Sequence, residues 1–295
     1  MLSKSFLTLA LAIPALSLPT PDTAPLPIKD VTTHSNTVAP FFPPFTTGAN
    51  VTNEPSSQQL LSSDIFAVTL DAILALAYLP PDETPDNNQT FRSPTVQLTY
   101  NTTSNRINTI WLLYKALDDI ATASAYQAGG FTLTDSKSKT VLSTITYGPA
   151  TAPPPLVNVA TANRLRARAI PPNSPLSNYR SSFSANWTGT PSPALNARFY
   201  LSVASLIAQI ANAPDKTQLA DSLAATAYPN LRIQNVRIQG QDNLLTYTGS
   251  LDLLAEAIKE GNGKDGKGAL SLRQDWRDGP TVKATWTLNY QNVPE

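Results

Sequence analysis

The chain predicts an α+β fold of two similar α-β-α-ββ units, their mainly antiparallel sheets packed together, preceded by a disordered arm. Three observations carry this expectation. Stretches with apolar residues at helical spacing alternate with stretches of period two. Three short anchors recur in the same order in the two halves. The stretch from Leu18 to about Ser57 is rich in Pro, Thr, Ser and Asn and has no sustained period. The expected organisation is a signal peptide over residues 1–17, a Pro/Thr-rich arm over 18–57, a first unit over 58–148, a linker over 149–191 and a second unit over 192–295.

In the leader, Lys4 gives a basic start, Phe6 to Leu16 an apolar run, and Ala15-Leu16-Ser17 the small residues a signal peptidase reads. In the arm only the apolar cluster Phe41-Phe42-Pro-Pro-Phe45 suggests docking on the folded body. Ser62-Ser63-Asp64 predicts the cap of a helix reaching about Tyr78, with Ile65, Val68, Ala72, Ile73 and Leu76 on its apolar face. Thr95 to Tyr100 alternates as a strand. A second helix is expected from about Asn105 to Ala125, closed by Gly129-Gly130. Phe131-Thr-Leu-Thr, a turn near Asp135-Ser136, and Val141 to Tyr147 predict a hairpin.

The linker is Pro-rich, carries Arg164, Arg166 and Arg168 as a spaced basic cluster, and has room for a strand around Leu156 to Val159. Ser192-Pro193 then opens a helix from about Ala194 to Asn212. Strands are expected at Leu231 to Gln239 and Leu244 to Tyr247, and a helix from Ser250 to about Glu260. Glycines between Gly261 and Gly268 end that helix, and two strands, Ala269 to Trp276 and Thr281 to Tyr290, flank the turn signal Asp278-Gly279. The recurring anchors are Pro-Asp-X-Thr at Pro81 and Pro214, Leu98-Thr-Tyr100 against Leu245-Thr-Tyr247, and Thr140 to Thr146 against Thr281 to Thr287.

Four Asn-X-Ser/Thr sequons, at Asn50, Asn88, Asn101 and Asn186, agree with the leader in pointing to a glycoprotein of the secretory pathway, and all four fall in segments that read as loops or element ends. With no cysteine in 295 residues, stability rests on burial, and thiol catalysis, thiolate metal sites and disulfide redox chemistry are excluded. Lys plus Arg equals Asp plus Glu at 21 each, so no net field draws the chain to nucleic acid. The longest later apolar run, Ile65 to Leu79, is interrupted by Asp71 and is too short to predict a membrane span.

The single histidine, His34, lies in the arm, which leaves histidine triads and His-ligated metals without a residue. No cofactor or metal site is read from the chain. Paired carboxylates remain a route to glycoside hydrolysis, with Asp118, Asp119, Asp275 and Asp278 as the acids to weigh. Adjacent Asp118 and Asp119 diverge by about 100° on a helix and read as a solvated face; Asp278 is explained by its turn, and Asp275 should face away from Trp276. No residue is therefore named as catalytic. Trp276, Trp286 and Tyr290 are the candidate ligand-contact aromatics, since sugar faces stack on exposed rings, although the apolar residues in phase with Trp286 favour a core role.

The Pro/Thr-rich start, the scattered sequons and the unit of Leu-Thr-Tyr strand, amphipathic helix and hairpin resemble uncharacterised secreted proteins of filamentous fungi. That resemblance implies an extracellular setting and carries no activity or site residue with it. The residue inventory leans away from an enzyme. It suggests a secreted glycoprotein acting by surface contact, with an extracellular glycan or protein as partner. A carboxylate-dependent glycoside hydrolase and an apolar small-ligand carrier with a cavity between the units are the alternatives.

Overall fold

Both halves run through the same series of elements, strand, helix, two strands, helix, two strands. The structure is a computed structural model that describes residues 49–79, 83–151, 180–188, 193–212, 222–225, 231–237, 243–261 and 269–290. The leader, His34, the Phe41–Phe45 cluster, Arg164, Arg166, Arg168 and the Leu156–Val159 stretch lie outside the described residues. The first half is β1 (Ala49–Gln59), α1 (Ser62–Tyr78), β2 (Gln89–Arg92), β3 (Val96–Thr102), α2 (Arg106–Ala123), β4 (Gln127–Asp135) and β5 (Val141–Pro149). The second is β6 (Arg180–Thr188), α3 (Pro193–Ala211), β7 (Ser222–Ala224), β8 (Leu231–Arg237), α4 (Asn243–Gly261), β9 (Ala269–Asp278) and β10 (Thr281–Tyr290).

Each half forms one antiparallel five-stranded sheet, in the orders β1-β4-β5-β3-β2 and β6-β9-β10-β8-β7, so the two orders correspond strand for strand. Helices α1 and α2 cover one face of the first sheet, and α3 and α4 cover one face of the second. The halves meet through helices: α1 packs on α3 and α4, and α2 packs on α3. The buried apolar side chains of both halves join in one continuous core. The sheets therefore form the outer layers, each with one face on the core and one face turned outward, the arrangement that gives alternation along an antiparallel strand. In β3, Val96, Leu98 and Tyr100 are buried while Asn101 is exposed.

Side chains fill the seam between the halves. Phe66 stacks on Tyr200 with ring centroids 5.1 Å apart, and the Tyr78 hydroxyl donates to Asp252 Oδ1 at 2.6 Å. Arg106, 1% exposed, donates to the carbonyls of Leu76 (3.4 Å), Ala77 (3.1 Å) and Ala211 (2.8 Å). Those carbonyls close α1 and α3, where the helix dipole leaves partial negative charge, so a buried cation here meets both hydrogen-bond demand and favourable field.

The elements depart from expectation at specific points. The arm boundary expected at Ser57 falls inside β1, and β6 lies in the expected linker. Residues Leu244 to Tyr247, expected as a strand, belong to α4. The apolar spacing Leu244, Tyr247, Leu251, Leu254, Ile258 continues one helical face, and that continuity overrides the β-preference of Thr246 and Tyr247. As a result Leu98-Thr-Tyr100 and Leu245-Thr-Tyr247 sit in different element types, whereas Thr140 to Thr146 and Thr281 to Thr287 fall on the corresponding strands β5 and β10. The Pro-Asp-X-Thr anchor is outside the described residues in the second half, and in the first half only its Glu83 and Thr84 are described.

The caps differ as well. Leu61 is the N-cap of α1, without a side-chain bond, while Asp64 Oδ2 accepts from Thr95 N at 2.8 Å and Thr95 Oγ1 at 2.5 Å, tying α1 to the start of β3. Asn105 caps α2 by accepting from Asn108 N at 3.0 Å. That helix ends with Ser124 at φ 50°, ahead of Gly129-Gly130, which lie in β4. Gly129 is needed for close approach: a Cβ there would stand 2.7 Å from Glu54 O.

Candidate functional site

The outward sheet faces are the two extended surfaces the fold builds, and register fixes what each displays. On the first sheet Thr52, Thr132, Thr144 and Asn101 form one cross-strand row. Gly130, Thr146, Thr99 and Thr90 form the next, with Thr90 and Thr99 joined hydroxyl to hydroxyl at 3.0 Å. β-branched threonines suit a pleated, solvated face. Along these paired strands the charged side chains are Glu54, opposite Gly130, Arg92, opposite Gln97, and Asp135, opposite Ala49 at the end of β4.

The second sheet displays a different chemistry on the same scaffold. Asn186, Ser271, Asn289 and Arg232 form one row, and Ser184, Arg273, Thr287 and Gln234 the next. Ser182, Asp275 and Thr285 follow, and Arg180 pairs directly with Arg277. Asp275 is the organising anion. Its Oδ1 accepts from Arg273 Nε at 2.9 Å and Thr285 Oγ1 at 2.8 Å, and its Oδ2 from Arg277 Nη2 at 3.3 Å. Partial burial alone would raise its pKa, but the Thr285 hydroxyl and the two guanidiniums outweigh it and hold the carboxyl below the usual range. Lys283 stands beside the irregularity between Val282 and Ala284, 3.9 Å from Asp278. Among the described residues of these rows, four arginines therefore share this face with a single aspartate that two of them already hold.

The candidate aromatics are in the core. Trp276, Trp286 and Tyr290 are 1%, 0% and 2% exposed and lie on the helix-facing side of β9 and β10. Trp276 and Trp286 meet edge to face at 6.0 Å, and Tyr290 meets Phe199 at 5.5 Å. Their ring faces are engaged by packing and offer no platform to a sugar, because the apolar phase of β10 points inward. The Gln274 amide, oriented as its partners require, donates to Gly249 O at 2.9 Å and accepts from Trp276 Nε1 at 2.7 Å, fixing that indole against α4.

Asp275 does face away from Trp276, and Gly279 takes φ 56° in the turn after Asp278. Asp118 and Asp119 both pair with Lys115 on the solvated face of α2, which raises the Lys115 pKa through the Asp119 hydrogen bond first. Asp119 also borders a shallow groove of about 110 Å³ beneath β1, shared with Asn53, Gln127 and Phe131. The acids that sequence offered for hydrolysis are thus divided between α2 and the second sheet. Among the described residues no group of three His, Cys, Asp or Glu could hold a metal ion, and no helix is long and apolar enough to cross a membrane.

All four sequon asparagines are exposed. Asn50 and Asn101 lie one residue inside the ends of β1 and β3, Asn186 lies two residues inside the end of β6, and Asn88 precedes β2 at φ 60°. The arginines of the second sheet were not singled out from sequence. Their signal was the polar phase Arg273, Asp275, Arg277 against the apolar phase Leu270, Leu272, Trp276. No protein-family model matches the chain, and neither a curated protein nor a solved structure matches it.

Proposed function

We propose that this protein is a secreted extracellular glycoprotein that acts by surface contact, with a glycan or another protein as its partner. The observation that carries this reading is the layer order: the helices are committed to the shared core, and both sheets turn a broad face of hydroxyl, amide and guanidinium groups to solvent. Such faces suit recognition by many directional hydrogen bonds over a wide area. Exposure of Asn50, Asn88, Asn101 and Asn186 supports glycosylation, and the basic-apolar-small pattern of residues 1–17 supports export. The likeness to secreted proteins of filamentous fungi is in keeping with that setting.

The same element order and corresponding strand orders support an origin by internal duplication, in which two seven-element units joined through their helical layers. Expression of the full chain in a eukaryotic secretory host tests the reading. Recovery from the medium, a mobility shift on enzymatic deglycosylation, and retention on extracellular matrix material without release of soluble sugar are the expected results. Retention of the intact chain in the cytosol, or turnover of a glycan abolished by one Asp or Glu substitution, would overturn it.

A further inference from the structure

We propose that the outer face of the second sheet is a docking surface for a carboxylate-bearing extracellular polysaccharide, held by Arg180, Arg232, Arg273 and Arg277. This inference rests on the surface-contact reading and gives its ligand a chemistry. The first argument is charge. Arg180 and Arg277 stand directly opposite each other across β6 and β9, a like-charged pairing that disfavours the sheet unless an anion is present. Asp275, already shared by Arg273 and Arg277, compensates only part of that charge. The sheet thus fixes cations in excess of their internal partner, which is charge complementarity to an anion from outside.

The second argument is arrangement. Arg273 and Arg277 flank Asp275 along one strand, Arg180 lies one strand to the side, and Arg232 lies two strands away in the other direction. Strand spacings of about 4.8 Å spread these cations across the face in two dimensions, so a single small anion would meet only part of the set. Between them stand Ser182, Ser184, Ser271, Thr287, Asn289 and Gln234, which donate to and accept from hydroxyls. Guanidinium forks match carboxylates bidentately, and the intervening side chains match sugar hydroxyls. Along these paired strands no aromatic residue shares the outer face, so base stacking of the kind that supports single-stranded nucleic acid has no platform there.

The third argument is the contrast between the two sheets. The strands of the first sheet carry Glu54 and Asp135 against Arg92, with no excess of cations, and its outer face carries the acceptor asparagines Asn50 and Asn101, so attached glycans would cover it. On the second sheet Asn186 lies near the opposite end of β6 from Arg180, so a glycan there stands away from the Arg180–Arg277 pair, and Arg232, in the same row, is three strands across from it.

The test measures binding of the purified full chain to polygalacturonate, to a neutral β-glucan and to duplex DNA, at low and at physiological salt. Binding to polygalacturonate that weakens with salt is expected, because exposed charges are screened. The Arg180→Gln/Arg232→Gln variant, which leaves the Asp275 cluster whole, should lose at least about tenfold in affinity while keeping the wild-type melting temperature. The Thr132→Ala/Thr144→Ala variant of the first sheet should bind as wild type does. Unchanged polygalacturonate binding by the arginine variant, or equal affinity for duplex DNA, would overturn the proposal. Binding to the neutral glucan with none to polygalacturonate would overturn it and leave the surface-contact reading standing. Release of reducing ends from any of these glycans would bring down the surface-contact reading itself.

Discussion

Arg106 Nη2 donates to the Ala211 carbonyl at 2.8 Å, joining the first turn of α2 to the last turn of α3 in the other half. The same guanidinium reaches the carbonyls of Leu76 and Ala77, so one side chain closes two helices that belong to different sheets. Leu76 O also accepts from Leu79 N at 3.2 Å, but replacing Arg106 takes from the Ala211 carbonyl the side-chain donor it has across the seam, and a buried carbonyl orphaned in this way costs about 1–3 kcal/mol. Arg106→Met, which keeps the length of the stem, should destabilise the protein by about 3 kcal/mol, read as a lowered midpoint in urea unfolding. An unchanged midpoint would mean that water or the backbone satisfies those carbonyls unaided.

Gly249 supplies a test in which two effects have opposite sign. In an ordinary helix interior Gly→Ala stabilises by about 1 kcal/mol because alanine has less backbone entropy to lose. At Gly249, however, a Cβ would stand 2.7 to 2.9 Å from three ring atoms of Trp286, an indole that is itself 0% exposed and has no room to retreat. Overpacking of this kind costs about 1–3 kcal/mol. Gly249→Ala should therefore destabilise the protein and change Trp286 fluorescence, and a stabilised variant would show that the indole moves freely.

Helices and hairpins were legible where one residue period dominates. α1, α2 and α3 follow their apolar spacing, and Asp278-Gly279 and Asp135-Ser136 mark turns between paired strands. The edge strands were hidden for a common physical reason. β1 and β6 pair on one side only, so they need little inward apolar surface, and their sequences read as polar coil. Pro55 in β1 strengthened that impression, although an edge strand tolerates proline. In α4 the helical spacing before Leu251 was masked by Thr246-Tyr247-Thr248, whose local β-preference yields to the helix that spans Asn243–Gly261. The inward phase of Trp276 and Trp286 was readable from their neighbours. The arginine face was not, because Arg180 and Arg232 are brought beside Arg273 and Arg277 only by strand register.

The place of β1 can be tested at Gly129. Its missing Cβ lets the backbone of β1 cross closely, with Glu54 O at 2.7 Å and Pro55 Cα at 2.9 Å from where the Cβ would be. Because backbone blocks the site, a side chain there must push the two strands apart. Gly129→Ala should cost about 2 kcal/mol, and amide hydrogen exchange should quicken along Asn50 to Glu54 more than along β3. Equal protection in both proteins would argue that β1 is not held against β4 in this register.

Asp71 gives α1 a pH dependence of predictable sign. Half-buried on that helix, its carboxyl is desolvated, and its pKa rises to about 6. In the unfolded chain the same group releases its proton near the ordinary value of about 3.9. Between those values the native state holds more protons than the unfolded state, so stability from this group falls as pH rises through about 4 to 6 and stays reduced above it. Asp71→Asn removes the ionisation and keeps nearly the same volume. The variant should match or trail wild type near pH 4 and exceed it by about 1–2 kcal/mol at pH 7, a range below the full linkage value because the side chain is partly solvated. Carboxylates with lowered pKa, such as Asp275 and Asp135, stabilise above the unfolded-state value and lose that contribution on acidification in both proteins, so the difference between the two urea midpoints isolates Asp71. Parallel midpoint curves from pH 4 to pH 7 would show that water reaches this carboxyl and that it titrates as an ordinary surface acid.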